Sequence, residues 1–286
     1  MNRFLEQAKC IGAAIGHCAG ILGCEIGSEV LYQRLDYLQE IWYRTISFDS
    51  QKTQLAAIPD LADFSRRLAE ATIAVLAKGN KFLTLGGDHS CAIGTWSGVA
   101  QCYDEFGLIW IDAHLDSHTP ETSFSGNLHG MSAAALMGFG DKRLTTILSE
   151  QAKVKPENIV FMGIRSYEKE EQQLLAQHGV KVYYMEDVRR LGFQSCFATT
   201  IKTFEQRDLP FGITLDLDAL DPHHIQALGT PEEDGMQLKN LLAALSMINL
   251  EQLIGLEITE YNPELDDEIF SGSDVVDSII NRVGCD

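Results

Sequence analysis

The sequence predicts an α/β fold in which a mostly parallel sheet carries helices on both faces. Apolar, β-branched runs alternate along the chain with segments whose apolar residues recur at helical spacing. Polar and acidic residues follow several of these runs directly, as Asp112 follows 107–111. Strands that alternate with helices form parallel sheets, which bind ligands outside the carboxyl ends of their strands.

Each element is predicted from a local pattern. The first strand, 9–16, runs into a glycine-rich loop, and Ser28 is placed to cap the next helix. The loop spacing, Gly-x-x-Gly-x-x-x-Gly with no Lys-Ser/Thr after it, argues against a nucleotide site. The other predicted strands are 81–85, 107–111, 159–164, 180–185, 211–217 and 253–258. The predicted helices are 29–37, 60–78, 94–102, 131–137, 170–177, most of 186–208, 238–248 and 274–281.

Composition narrows the class of protein. The 286 residues, 45% of them apolar, contain no repeat or linker-like stretch, which favours one domain over 1–286. A net charge of −19 disfavours nucleic acids and favours cations. Seven cysteines without a Cys-x-x-Cys pattern indicate reduced thiols. The start lacks a signal-peptide pattern, and the apolar run 11–22 is too short and interrupted to span a bilayer. We therefore expect a cytoplasmic protein that binds neither nucleic acid nor membranes.

Potential metal ligands follow four predicted strands. Alternate side chains of an extended backbone point the same way, so Asp112, His114 and Asp116 can converge on one point. The two glycines of 86–87 are expected to turn the chain sharply and deliver His89 to the same edge. The candidates are His89; Asp112, His114 and Asp116; Asp216 and Asp218; and Glu260. The alternative is that these aspartates only cap and turn loops.

The donor set points to a particular kind of metal site. Four carboxylates and two imidazoles exceed what one small cation needs and suit two divalent ions that share a carboxylate. Oxygen-rich ligation with imidazole favours Mn²⁺, although iron, cobalt and nickel fit the same donors. Two bridged ions lower the pKa of a shared water and yield hydroxide near neutral pH. The sequence therefore predicts a hydrolytic dinuclear site.

Three segments resemble the signature blocks of the arginase–agmatinase, or ureohydrolase, family. They are 86–90 (Gly-Gly-Asp-His-Ser), 112–116 (Asp-Ala-His-Leu-Asp) and 216–222 (Asp-Leu-Asp-Ala-Leu-Asp-Pro). The likeness extends from near Ile11 to 260–263 (Glu-Tyr-Asn-Pro), which is nearly the whole chain. The resemblance implies a three-layer α/β/α sandwich with two Mn²⁺ ions per chain.

The resemblance also implies how the ligands are divided. One ion would be held by His89, Asp112, Asp116 and Asp216, and the other by Asp112, His114, Asp216 and Asp218. Asp112 and Asp216 would then bridge the two ions. A metal-bridging hydroxide would attack the guanidinium carbon of the substrate, and Glu260 would bind the guanidinium. His129, in Ser-Gly-Asn-Leu-His-Gly, would give a proton to the leaving amine. Asp116, His129 and Glu260 are thus the catalytic candidates.

The far end of the substrate is expected to meet residues that match the arginase branch less uniformly. Ser125 and Asn127 match positions that contact the α-carboxylate, and Thr230 matches a position on the guanidinium side. His118 stands where arginases usually carry asparagine. The segment 166–168 (Ser-Tyr-Glu) replaces an Asp-rich segment whose second aspartate helps hold the α-amino group in arginases. Glu168 and Glu171 retain negative charge there; alternatively, they only begin a helix favourably. The predicted substrate-binding residues are Ser125, Asn127, Glu168, Glu171, Thr230, Glu260 and His118.

The predicted reaction is hydrolysis of L-arginine to L-ornithine and urea. Within the same family, the alternatives are formimidoylglutamase, agmatinase or another guanidino-acid hydrolase. A different class also remains open, namely a metal-binding protein without catalytic activity. The resemblance implies a homotrimer or homohexamer as the assembly.

Overall fold

The computed structural model of the chain describes residues 2–269 and 271–285. The strands are β1 (Ala8–Ala14), β2 (Trp42–Ser47), β3 (Lys81–Leu85), β4 (Gly107–Ile111), β5 (Ile159–Ile164), β6 (Lys181–Tyr184), β7 (Phe211–Asp216) and β8 (Leu253–Thr259). The helices are α1 (Gly27–Arg34), α2 (Asp36–Ile41), α3 (Ile58–Leu76), α4 (Ala92–Val99), α5 (Ser132–Leu136), α6 (Lys142–Thr145), α7 (Lys169–Gln177), α8 (Met185–Leu191), α9 (Phe193–Gln206), α10 (Leu238–Ser246) and α11 (Ser271–Arg282).

The strands form one sheet in the order β2-β1-β3-β8-β7-β4-β5-β6, with parallel pairing between neighbours. Each face of the sheet has its own hydrophobic core. Alternation along β4 shows the division, since Ile109 and Ile111 join one core while Leu108 and Trp110 join the other. Helices α1, α2 and α8–α11 cover the first face, and α3–α7 cover the second. The predicted α/β/α sandwich with a parallel sheet is confirmed.

Several local predictions differ from the structure, among them the cap at Ser28, since α1 begins at Gly27 with Ile26 in the capping position. The edge strand β2 is not among the predicted strands, because its Trp-Tyr-Arg-Thr-Ile-Ser sequence buries only Ile46 and lacks an apolar run. The predicted helix 29–37 is interrupted at Leu35, which has φ −109° and ψ 87°. The prediction that most of 186–208 is helical is confirmed, with Gly192, at a φ of 86°, separating α8 from α9.

Gly87 lies in a bend after β3, as the sequence predicts, and it also permits a close approach to the end of β1. Its φ is not in the left-handed region. A Cβ at this position would lie 1.6 Å from the carbonyl oxygen of Ile15, at the end of β1. The next residue, Asp88, donates its backbone N–H to that carbonyl at 2.8 Å. The glycine therefore lets the segment before His89 pack directly against β1.

Arg165 joins three segments at the carboxyl edge of the sheet. Its backbone N–H donates to the carbonyl of Ala113 at 2.9 Å. Its guanidinium donates to the carbonyls of Asp218 (2.7 Å), Glu232 (2.8 Å) and Glu233 (2.9 Å). It also lies 3.3 Å from the carbonyl oxygens of Gly163, Ala219 and Leu220. Arg165 thus links three segments, since its backbone binds the segment after β4 and its side chain binds the segment after β7.

Within the residues that the structure describes, no helix combines the length and apolar character needed to cross a membrane.

We expect Arg165→Met to lower the free energy of unfolding by about 2–4 kcal/mol, because carbonyls arranged around the guanidinium lose their donor. Arg165→Lys should recover only part of the loss, since an ammonium lacks the planar fork. Urea denaturation of metal-free protein measures both. The control is Arg189→Met, because Arg189 makes an exposed contact to the Asp234 carbonyl. Equal losses in Arg165→Met and Arg189→Met would contradict the assigned role.

Candidate metal centre and cleft

Adjacent strands bring the predicted metal ligands to one edge of the sheet. Strands β3, β8, β7 and β4 are consecutive neighbours, and all point the same way. His89 lies in a 3-10 turn after β3, and Asp112 follows β4. Asp216 ends β7 and caps the following 3-10 turn by accepting the Asp218 N–H at 2.8 Å. The parallel topology therefore converts distant motifs into one site.

One cluster surrounds the imidazole of His89. Its Nδ1 lies 3.1 Å from Oδ2 of Asp112, 3.2 Å from Oδ2 of Asp116 and 3.2 Å from Oδ2 of Asp216. All four side chains are buried. Such an arrangement places one nitrogen and three carboxylate oxygens around a common point.

A second cluster lies beside the first and shares Asp112 with it. Nδ1 of His114 is 2.9 Å from Oδ2 of Asp218 and 3.6 Å from Oδ1 of Asp112. Because Oδ2 of Asp112 faces His89, the two oxygens of this carboxylate face different imidazoles. Asp112 thus has the geometry of a group that bridges two cations.

The donor atoms fit a pair of divalent cations. His89, Asp112 and Asp216 form one group able to hold a metal ion, and Asp112, His114 and Asp218 form another. The buried Nδ1 of His89 and Oδ2 of Asp116 lack a hydrogen-bond partner. Buried polar atoms are nearly always satisfied, so both atoms have the environment of metal ligands. Donors bound at right angles to one small cation lie roughly 3 Å apart, which matches the spacing around His89.

Charge repulsion among the aspartates also indicates that the site binds cations. Burial, together with the charges of Asp218 and Asp112, raises the pKa of Asp216 well above its ordinary value. Burial also raises the pKa of Asp116 and that of Asp218. Asp112 behaves differently, since hydrogen bonds and charge from His114 and His89 outweigh its burial and lower its pKa. A site of this kind favours positive charge at its centre.

Residues outside the predicted set hold the ligands in place. Trp110 donates its indole N–H to Oδ2 of Asp112 at 2.8 Å and stacks on His89 with a centroid distance of 4.3 Å. Nε2 of His89 is 2.9 Å from Oγ1 of Thr214, which donates to buried Glu257 at 2.9 Å. Trp110 and Thr214 each precede a ligand by two residues on a strand. The period-two pattern was therefore the signal that could have identified both.

Glu260 and His129 face each other beside the first cluster. Oε1 of Glu260 accepts the backbone N–H of His89 at 2.8 Å and lies 3.2 Å from Nδ1 of His129. Its other oxygen is 3.5 Å from Sγ of Cys24. Glu260 and Asp116 have φ values of 66° and 45°, in the left-handed region that non-glycine residues rarely adopt. Strained backbone of this kind is concentrated at functional sites.

A cleft of about 210 Å³ leads from solvent toward the two clusters. Its walls are formed by residues of the two clusters, by the loop that follows β4 and by the start of α7. The lining residues are His114, Asp116, His118, Ser123, Phe124, Ser125, Asn127, His129, Gly130, Glu168, Glu171 and Thr230. The structure thus brings each predicted substrate-binding residue except Glu260 to the wall of this cleft.

Glu168 and Glu171 occupy different environments on one wall. Glu171 is buried, and its two oxygens accept the backbone N–H groups of Ser117 (2.9 Å) and Glu168 (3.0 Å). Glu171 completes a capping box at the start of α7. The carboxylate of Glu168 lies 3.0 Å from Nε2 of His118. Glu168 and His118 therefore present the polar surface of this wall, while Glu171 fixes its backbone.

The loop after β4 carries the predicted carboxylate-binding residues to the cleft. Oγ of Ser125 accepts the backbone N–H of Asn127 at 3.2 Å. The Asn127 side chain donates to the carbonyl of Ala19 at 3.0 Å, which ties this loop to the segment after β1. Thr230, which also lines the cleft, donates to Oδ2 of Asp218 at 3.2 Å. The cleft is therefore lined by neutral hydrogen-bonding groups as well as by the Glu168–His118 pair.

Comparison with known proteins agrees with this geometry. The model of the arginase family matches residues 7–281. The chain belongs to the arginase family. Arginase of Bacillus caldovelox is 41% identical over 220 residues, covering 77% of this chain and 73% of that protein. Arginase of Bacillus subtilis (strain 168) is 37% identical over 221 residues, covering 77% and 74%.

Solved structures of the family share the whole fold. Arginase from Bacillus cereus superposes with a TM-score of 0.90 at 30% identity and covers 98% of both chains. A formimidoylglutamase from Bacillus subtilis superposes with a TM-score of 0.80 at 18% identity, covering 96% of this chain and 85% of its own. At that identity the likeness shows a common fold only.

We expect Asp112→Asn to remove nearly all bound metal and activity, because Asp112 faces both imidazoles and supplies charge to both clusters. Metal content after gel filtration and urea release measure the two effects. Asp221→Asn is the matched control, since Asp221 lies beyond the same edge but pairs with His223. A metal content of Asp112→Asn equal to that of the wild type would contradict the ligand assignment.

The His129–Glu260 pair predicts a pH-dependent stability in metal-free protein. Burial lowers the pKa of His129, but the hydrogen bond and charge of Glu260 outweigh it and raise this pKa to about 9. Because the folded pKa exceeds the ordinary 6.5, the stabilisation is complete below pH 6.5 and is lost as the pH rises through 9.

The stability difference between wild type and His129→Asn should therefore shrink by up to roughly 3 kcal/mol between pH 6 and 10. Chemical denaturation across this pH range measures it. His178→Asn serves as the control, because His178 packs against Phe139 away from the carboxylates. A difference that stays constant with pH would show that His129 and Glu260 are not coupled.

Proposed function

We propose that the chain is an arginase that hydrolyses L-arginine to L-ornithine and urea. The similarity to proteins named arginases, at 34–41% identity over about three quarters of the chain, is the observation that carries this proposal. The cleft supports it, because hydrogen-bonding groups on two walls suit the two charged groups of an α-amino acid.

We further propose that the resident cofactor is a pair of Mn²⁺ ions. His89, Asp112, Asp116 and Asp216 would hold one ion, and Asp112, His114, Asp216 and Asp218 the other. When bound, two such ions polarise a shared water and so supply a nucleophile near neutral pH. Oxygen-rich donors with imidazole favour Mn²⁺ over Zn²⁺.

Glu260 binds and orients the guanidinium. An anionic carboxylate holds a planar cation through charge-assisted hydrogen bonds. Oε1 is already fixed by the His89 N–H, so the carboxylate has a defined direction beside the metal ligands. Fixing the guanidinium in this way converts a bimolecular encounter into an oriented one.

His129 supplies the proton that the leaving group requires. Water adds to the guanidinium carbon, the bond from that carbon to the ornithine nitrogen breaks, and this nitrogen takes up a proton. An imidazole is the side chain best suited to give a proton near neutral pH. Its position between Glu260 and the cleft allows it to release this proton toward the substrate.

The two walls of the cleft select the amino-acid end. Glu168, oriented by His118, accepts hydrogen bonds from the α-ammonium group. Ser125 and Asn127 donate to the α-carboxylate, and Thr230 lines the guanidinium side near Asp218. Glu171 contributes by holding the backbone of Ser117 and Glu168.

We propose a single domain over 1–286 that works in the cytoplasm as a homotrimer or homohexamer. The resemblance to the family supports this assembly, and the free cysteines support a reducing compartment.

A substrate panel on manganese-loaded protein tests the function. L-arginine should release urea at least a hundredfold faster, in kcat/KM, than agmatine or guanidinobutyrate, because each analogue lacks a charged group that the cleft walls bind. N-formimino-L-glutamate is included to identify a formimidoylglutamase. Comparable activity on agmatine would overturn the arginase assignment, and Mn²⁺ binding without turnover of any substrate would indicate a metal-binding protein without catalysis.

A further inference from the structure

Glu232 places a carboxylate next to the metal ligand His114, outside the ligand set described above. Its Oε1 lies 3.6 Å from Nε2 of His114, while Nδ1 of the same ring faces Asp218 and Asp112. The two ring nitrogens thus have opposite surroundings. One faces the metal cluster, and the other faces the Glu232 carboxylate, which lines a neighbouring cavity together with Arg165.

This arrangement bears on which nitrogen carries the proton. A neutral imidazole has one N–H and one bare nitrogen, and only the bare nitrogen can bind a metal ion. A carboxylate beside Nε2 accepts its N–H and leaves Nδ1 bare toward the metal cluster. Partners of this kind also fix the ring plane and raise the basicity of the ligating nitrogen.

The backbone of Glu232 is held more firmly than its side-chain exposure suggests. Pro231 restricts the backbone before it. The guanidinium of Arg165 binds the carbonyls of Glu232 (2.8 Å) and Glu233 (2.9 Å). Arg165 also binds the carbonyl of Asp218, which belongs to the same cluster as His114. The loop that carries Glu232 is therefore held at a fixed position relative to this cluster. The side chain is 40% exposed, so a small rotation brings its oxygen within hydrogen-bonding distance of Nε2.

We propose that Glu232 is a positioning residue for His114, which it holds with Nδ1 toward the metal centre. This inference rests on the proposed two-ion site and adds a residue that acts on one of the two ions. The ion bound through His114 should depend on Glu232, whereas the ion bound through His89 should not. His89 has its own orienting partner in Thr214.

Glu233 provides a matched control. It neighbours Glu232, has the same charge, and also gives its carbonyl to Arg165. Among the residues that the structure describes, the Glu233 side chain forms no ion pair with His89, His114 or His129. Glu233→Ala therefore reproduces the change in net charge without removing the contact to Nε2.

The test is a stepwise Mn²⁺ titration of the full chain against a competing chelator, at low and high KCl. Glu232→Ala should weaken one of the two binding steps on the order of 10–100-fold at both salt concentrations, because a direct contact is little screened. Glu232→Gln keeps a neutral acceptor at the same place and should recover most of the loss. Glu233→Ala should weaken binding less than about threefold, and high salt should abolish the effect.

Two outcomes would overturn the inference in distinguishable ways. Equal losses in Glu232→Ala and Glu233→Ala that vanish at high salt would show a general charge effect and leave the proposed function intact. Absence of Mn²⁺ binding by the wild type would overturn the proposed function, and this inference with it.

Discussion

The burial of four aspartate carboxylates at one edge of the sheet is the constraint on which this structure depends. Asp112, Asp116, Asp216 and Asp218 are all 5% exposed or less, around two imidazoles. Buried carboxylates that close raise one another's pKa and destabilise the folded chain unless positive charge lies among them. Two divalent cations would neutralise the four charges, so folding and metal binding are expected to be thermodynamically linked.

The surrounding residues act against the tendency of such a cluster to spread apart. Trp110 and Thr214 orient Asp112 and His89 from within the strands. Arg165 binds the carbonyls of Asp218 and Glu232 and so holds the two loops that carry these residues close together. The hydrogen bonds of these residues therefore hold the aspartates in place although their charges repel one another. Such support is typical of a site whose geometry is formed before its ligand binds.

Sequence patterns predicted the parts that depend on short-range periodicity. The alternation of Asp112, His114 and Asp116 and the strand–helix order were enough to place the six metal-ligand candidates at one edge, where the structure has them. Contacts between distant carbonyls and a side chain leave no such pattern, so the role of Arg165 could not be predicted. Strand β2 was not predicted, because it is half-exposed and lacks an apolar run. The left-handed backbone at Glu260 was not predicted either, because it depends on tertiary contacts such as the hydrogen bond from its N–H to the Gly87 carbonyl.

The strand order has a consequence for the biosynthesis of the protein. Strand β8 lies between β3 and β7, so the distance from His89 to Asp216 is set by a strand that the ribosome delivers after every metal ligand. Before β8 is inserted, β4 and β7 can already pair and bring Asp112, His114 and Asp218 together, whereas His89 after β3 is not yet held beside Asp216. We therefore expect the cluster around His89 to be completed after the cluster around His114, once β8 joins the two parts of the sheet.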